Sequence, residues 1–272
     1  MFGMGLRHQH YEEILNRLEV DPSSLRVDHF EIITENFLDT KGRAFINLKK
    51  ISEHIPICFH GVSLSIASDE EFNWEYLNKI KKLEKEISPL IVSDHLCWTG
   101  TKHKNLHNLL PIPYTKEELN KISDKVLKLQ DFFKRPMVFE NLSAYVQFKN
   151  SEMTEAEFFK ELHLKTGCEI LLDINNLYVN LNNFNCSIDE WFQIIPKEAV
   201  KEMHLAGFTD MGQYYFDTHS NPIHSDVWEY YHKFKIKFNT AITTVEWDED
   251  LPSYDRVADE VQKAKLIGRQ ND

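Results

Sequence analysis

Three observations in the sequence predict a (β/α)8 barrel. Short apolar runs alternate with longer amphipathic stretches, no repeat or Pro/Gly/Ser linker interrupts them, and each apolar run ends in a metal-ligating type of side chain. Barrels of roughly 250 residues often form one unit, so a single barrel domain over residues 1–272 is expected. A doubly wound open sheet is the competing fold, but no GxGxxG follows the first apolar run.

In chain order the expected strands are His29–Thr34 (HFEIIT), Ile57–Ile66 (ICFHGVSLSI), Leu90–Asp94 (LIVSD), Met137–Glu140 (MVFE), Glu169–Ile174 (EILLDI), Lys201–Leu205 (KEMHL) and Ala241–Glu246 (AITTVE). Gln213–Asp217 (QYYFD) is a weaker eighth. Their near-continuous hydrophobicity suits parallel strands covered on both faces. Between them, Arg43–His54, Asn73–Ile87, Lys116–Phe133, Thr154–Lys165, Asp226–Phe238 and Tyr254–Ile267 have helical periodicity. Thr115 with Glu118, and Thr154 with Glu157, have capping-box spacing. The connections after the fifth and sixth strands are short and Asn-rich or Gly-containing, which predicts helical stubs there.

Composition narrows the function. Lys and Arg total 31 against 43 Asp and Glu, a net charge of −12, which disfavours a broad phosphate-binding surface and hence nucleic acid. Cys58, Cys97, Cys168 and Cys186 have no CxxC spacing, so a reduced compartment is expected and a four-cysteine zinc site is excluded. The opening MFGMGLRHQHYEE lacks the apolar stretch of a secretory signal, and no run approaches the ~20 apolar residues that span a bilayer. A cytoplasmic protein without a membrane partner is the expectation.

The barrel reading demands that functional residues lie where strands run out. In order, the strand ends carry Glu35 and Asn36, His60, Asp94 and His95, Glu140 and Asn141, Asp173 with Asn175 and Asn176, His204, Asp217 and His219, and Glu246 with Asp248. Singly, each has an ordinary explanation. His60, His95 or His204 can be a hydrogen-bonded core histidine, and Glu140 a paired barrel-end carboxylate. Asp173 can cap the segment after it, Asp217 and His219 can belong to a turn, and Glu246 to an acidic loop. Jointly, nine N/O donors at one end of the strands imply cations, because unpaired buried carboxylates are costly. One ion uses about four to six donors, so two or three ions are implied. His60, His95 and Glu140 make the two-histidine, one-carboxylate set of non-haem iron oxygenases, although zinc or manganese accepts the same donors. His8, His10, His29, His54, His103, His107, His163, His224 and His232 lack this placement, and His8 and His10 are the candidates among them for joining the site.

At these residues the chain resembles a known family. GLRHQHY, FEIITEN, FHGVSLSI, SDHLCW, LLPIPYT, FENLSAY, LLDINNLYVN, MHLAGF, DTHSNP and EWDEDLP occur in the order and form found in the multinuclear non-haem iron-dependent oxidative enzymes, which include the methanobactin biosynthesis oxidase. The resemblance implies a TIM barrel like those of endonuclease IV and xylose isomerase, with two or three irons in mixed Fe(II)/Fe(III) states. It places one ion on His60, His95 and Glu140, and a central ion on Glu140, Asp173, His204 and Glu246, with the glutamates as bridges. A third ion falls to Asn176, Asp217 and His219; endonuclease-like relatives carry histidine where this chain has Asn176. Glu140, Asp173 and Glu246 take catalytic roles, and Asn36, Asp94, Asn141, Asn175 and Asp248 orient the ligands. The implied reaction is dioxygen-dependent oxidation of a cysteine in a ribosomally made precursor peptide, with a small partner protein delivering the peptide. The alternatives are a metal-dependent hydrolase acting on nucleic acid, a sugar isomerase or epimerase on the same barrel, and a non-catalytic metal-binding scaffold.

Overall fold

The computed structural model describes residues 1–101 and 104–269, which leaves His103 outside the described residues. The chain opens with strand β1 (Phe2–Gly5) and helix α1 (Tyr11–Val20), then continues through β2 (His29–Ile33), α2 (Arg43–Ser52), β3 (Ile57–Gly61), α3 (Trp74–Ile87) and β4 (Val92–His95). A hairpin of β5 (Trp98–Thr101) and β6 (Lys104–Leu110) precedes α4 (Lys116–Phe133), β7 (Val138–Glu140), α5 (Glu155–Thr166) and β8 (Glu169–Asp173). Two helices, α6 (Ile174–Phe184) and α7 (Ile188–Ile194), lead to β9 (Val200–Leu205) and a small hairpin, β10 (Thr209–Asp210) with β11 (Tyr215–Phe216). Helix α8 (Ser225–Lys237), strand β12 (Ile242–Val245) and helix α9 (Tyr254–Arg269) complete the chain.

Eight strands close a parallel barrel in the order β1-β12-β9-β8-β7-β4-β3-β2. Three expectations are corrected here. The eighth strand is β1, which pairs Phe2 with Thr243 and Gly3 with His29, and it carries no apolar run to announce it. Its glycines are needed for close approach: a Cβ on Gly3 would sit 2.3 Å from the His29 carbonyl oxygen. Gln213–Asp217 instead supplies β11, whose Tyr215 pairs with Asp210 outside the barrel. The stub expected after Asp173 is an 11-residue helix, because Asp173 caps it and its buried face, including Leu177, Tyr178 and Val179, packs against the barrel. The expected strand Ile57–Ile66 ends at Gly61. Thr154 and Glu157 do form the reciprocal capping box at the start of α5.

Strand side chains alternate between the barrel interior and the helical layer. Phe30, Ile32, Phe59, Phe139, Ile170 and Leu172 belong to the large core shared with the helices. The opposite parity fills the interior, where Cys58, Ile91, Val138 and Leu171 form an apolar plug against Ile242. Glu202 lies level with the plug, paired with Leu171 and Ile242, and towards the C-terminal strand ends the inward positions turn polar: Glu31, His60, Ser93, Glu140, His204 and Thr244 are all buried. Among the described residues no helix is long and apolar enough to cross a membrane.

Candidate metal centre

The inward positions converge at the C-terminal ends of the strands. His60 Nε2 and His95 Nε2 each stand 3.1 Å from Glu140 Oε2. Their other ring nitrogens are committed: His60 Nδ1 meets Ser93 Oγ at 2.9 Å, and His95 Nδ1 donates to the Gly61 carbonyl at 3.1 Å. Ser93 Oγ donates its own hydrogen to the Phe59 carbonyl at 3.1 Å, so it accepts from His60. Both imidazoles therefore aim an Nε2 lone pair at Glu140 when neutral. Glu140 Oε1 faces the other way, 3.6 Å from His204 Nδ1, which lies 3.0 Å from Glu246 Oε2.

One donor atom each from Glu140, Asp173, His204 and Glu246 falls within 4.8 Å of the others, and the same holds for His60, Glu140 and His204. On the far side His219 Nε2 lies 2.8 Å from Asp217 Oδ1 and 4.0 Å from Asp173 Oδ2, while its Nδ1 is 3.3 Å from Glu246. Both readings of Asp173 hold at once. Its Oδ1 accepts from Asn176 N at 2.7 Å and caps α6, whereas its Oδ2 is buried without a hydrogen-bond partner. The Asn176 side chain donates to the Asn141 carbonyl at 3.1 Å, which turns its own Oδ1 away as an unpaired acceptor.

Asp173 Oδ2 and Asn176 Oδ1 are buried without hydrogen-bond partners, whereas Glu140 Oε2, His204 Nδ1 and His219 Nε2 are buried against opposite charges at 2.8–3.1 Å without forming a well-aligned hydrogen bond. A buried polar atom with no partner costs about 1–3 kcal/mol, and Asp173 Oδ2 and Asn176 Oδ1 are two such atoms on candidate ligands. The donor set of imidazole, carboxylate and amide fits divalent or trivalent cations. The electrostatics agree. Burial opposes ionisation of Glu140, yet His95, His60 and His204 hold its carboxyl well below the usual range. Burial also disfavours the charged imidazole of His60, yet Glu140 pushes it up to about 10. Burial, with Glu140 beside it, pushes Asp173 up to about 8, a repulsion that a cation reverses.

The expected supporting residues divide. Asn141 clamps Asp173, accepting from its N–H at 2.8 Å and donating to its carbonyl at 3.1 Å. Asn175 donates to Asp217 Oδ1 at 2.7 Å. Asp248 meets His219 Nδ1 at 3.1 Å and pairs with Arg7. Burial works against the charged form of Asp248, but His219 and Arg7 hold its carboxyl far below the ordinary range. Asp94 supports backbone rather than imidazole, accepting from His95 N at 2.7 Å and Leu64 N at 3.1 Å. Asn36 is exposed on a 3-10 turn, and its neighbour Glu35 takes the inner contacts, accepting from Val62 N at 2.9 Å and Tyr76 Oη at 2.6 Å. His8 is exposed, and His10 contacts the Pro252 carbonyl at 2.9 Å, so neither joins the centre.

Several residues of the site went unread in sequence. His204 Nε2 lies 3.2 Å from Glu31, a carboxylate buried in mid-strand. Below it Thr244 Oγ1 donates to Glu202 Oε1 at 2.6 Å and accepts from His29 Nε2 at 2.8 Å. The available signal was a glutamate inside each of HFEIIT and KEMHL, where an unpaired charge would be prohibitive. Ser143 and Tyr145 also reach the centre: Ser143 Oγ donates to Asp217 Oδ2 at 3.0 Å, and Tyr145 Oη accepts from Asp217 N at 2.9 Å.

Comparison with known proteins follows the same lines. A family model described as "RiPP precursor modification enzyme MbnB/TglH/ChrH" matches residues 1–269, RiPP denoting a ribosomally made, post-translationally modified peptide. A UPF0276 protein of Acaryochloris marina is 37% identical over 262 residues, covering 96% of this chain and 92% of its own. Another, from Caulobacter vibrioides, is 37% identical over 264 residues, with 97% and 92% covered. Among solved structures, endonuclease IV from Thermus thermophilus superposes with a TM-score of 0.62 at 10% identity, covering 97% of this chain and 98% of its own. An L-ribulose 3-epimerase gives 0.61 at 12% identity, covering 99% and 95%. Likeness at such identity concerns the fold alone.

Proposed function

This chain belongs to the RiPP precursor modification enzyme family MbnB/TglH/ChrH, and on that premise we propose that it is a multinuclear iron enzyme that uses dioxygen to oxidise a cysteine of its precursor peptide. The observation that carries the reading is the convergence of buried donor atoms from Glu140, Asp173, His204 and Glu246 within 4.8 Å of one another, with Asp173 Oδ2 and Asn176 Oδ1 left without hydrogen-bond partners. Coordination of cations satisfies all of them together, and their spread over several strand ends suits two or three ions rather than one.

In this reading His60, His95 and Glu140 hold the first ion, and Glu140, Asp173, His204 and Glu246 the central one. Asn176, Asp217 and His219 hold the third. Iron, when bound, supplies redox chemistry and an open position for the soft thiolate of the substrate. The protein's part is orientation: Ser93 and the Gly61 carbonyl aim two imidazoles, and Asn141 fixes Asp173. Asn175 and Ser143 hold Asp217 from two sides. A small partner protein that delivers the peptide and a reducing, cytoplasmic setting belong to the same proposal, as does a single unit over residues 1–272. The net charge of −12 disfavours a phosphodiester substrate.

The test is anaerobic reconstitution with ferrous iron, followed by air, in the presence of any short Cys-bearing peptide found encoded beside this gene and any small protein encoded with it. Oxygen uptake with a mass change on the peptide is expected, and a Cys→Ser peptide should reduce uptake to background. Equal turnover of the Cys→Ser peptide, at most one metal ion per chain, or nicking of abasic DNA by the zinc form would overturn the reading.

A further inference from the structure

The rim beside Asp217 is apolar. Tyr145, Val146 and Phe148 on the loop after β7, with Met211, Tyr214 and Phe216 on the β10–β11 hairpin, are between 39% and 55% exposed. The three aromatics Tyr145, Tyr214 and Phe216 form a cluster: the Tyr145 ring lies 5.3 Å from Phe216 and 6.3 Å from Tyr214, which is 6.4 Å from Phe216. The hairpin is anchored. Tyr215, between the two exposed aromatics, stacks on Phe208 at 4.3 Å, and its backbone exchanges hydrogen bonds of 2.8 and 2.9 Å with the Asn183 side chain. Behind the loop lies a cavity of about 300 Å³ lined by Val146, Phe148, Ile112, Met153, Phe184 and Trp191 among others. Two of its polar groups are spent on each other, since Tyr114 Oη donates to Glu155 Oε1 at 2.7 Å.

We propose that this aromatic platform and its cavity bind the precursor peptide through apolar side chains flanking the residue to be modified, with one such side chain anchored in the cavity. The proposal rests on the peptide-modifying reading above and adds what the peptide must look like. Two observations select a peptide over a second copy of the chain. Six side chains offer at most a few hundred Å², against roughly 800 Å² per partner in a standard stable interface. The platform is also continuous with the centre, because Tyr145 itself holds the Asp217 backbone. A segment lying on it thus delivers its neighbouring residue to the candidate ions.

Binding is measured without turnover, under anaerobic conditions, on protein from iron-replete cells. The probes are a fluorescein-labelled dodecapeptide with one Cys flanked by Phe and Leu, and its twin with Ser at those flanks. The apolar probe should bind at least ten-fold tighter. Joint substitution Tyr214→Ser and Phe216→Ser should abolish that preference with metal content and circular dichroism unchanged. The control pair Leu164→Ser and Leu266→Ser, on exposed positions of α5 and α9, should keep it. Equal binding of the two probes, or a preference that survives the hairpin substitutions, overturns the proposal. So does a concentration-dependent dimer that Val146→Asp dissolves, because the platform then serves self-association. Failure of the oxidation itself leaves this binding result standing, so the two readings fail separately.

Discussion

Glu140 is the residue on which two candidate ions depend, because its oxygens face opposite ways: Oε2 towards His60 and His95, Oε1 towards His204. Glu140→Ala is therefore expected to cost more bound metal than any other single ligand change, read by elemental analysis of the purified variants. Asp217→Ala losing more metal than Glu140→Ala would show that the bridge is misassigned. Glu31 acts one step further out. It receives the Nε2 hydrogen of His204 at 3.2 Å and so keeps the Nδ1 lone pair directed at the centre. Glu31→Ala should lower metal affinity about 10- to 100-fold, the usual effect of losing such a support. Competition with a chelator measures it, and unchanged affinity would remove Glu31 from the site.

Single elements show how far the chain could be read by eye. Strand ends are legible because a polar side chain after an apolar run is conspicuous, and the candidates His60, His95, Glu140, Asp173 and His204 all stand at such ends and lie close together. Helix α6 is not legible: Asn175, Asn176, Asn180, Asn182 and Asn183 are poor helix formers, and tertiary contacts override them. Asn180 accepts from Ala144 N at 2.8 Å and donates to the Leu142 carbonyl at 2.7 Å, stitching the helix to the platform loop. Helix α5 carries a titratable group at its first turn. Burial raises the Glu155 carboxyl to about 7, so the folded protein holds a proton there that the unfolded chain releases near pH 4.5. Stability from that proton is full in acid and is lost as pH rises through about 7. Glu155→Gln should then raise Tm at pH 8 and leave it nearly unchanged at pH 4. A gain equal at both pH values would mean that the carboxyl is not perturbed.

At the scale of the whole molecule, the barrel is a poor container for its own contents without cations. Glu140, Asp173 and Glu246 crowd its mouth, and Glu31 and Glu202 lie buried beneath. Metal at a hundredfold excess over Kd should raise Tm by roughly 5–10 °C in a chain of this size. Thermal unfolding before and after chelator treatment, with iron added back, checks this, and identical transitions would argue that the donors hold nothing. The barrel was legible as a class from its alternation, yet the strand that completes it was not, since FGMG has too few apolar side chains to signal a strand. That strand has a kinetic meaning. β1 sits between β2 and β12, so Phe2 must find Thr243 across almost the entire polypeptide. Entropy penalises so long a closure only weakly, about 0.6 kcal/mol for each doubling of length, but the search is slow. Closing that seam takes Glu31 and Glu202 out of water, so an ion bound at the strand ends offsets part of the cost of dehydrating them.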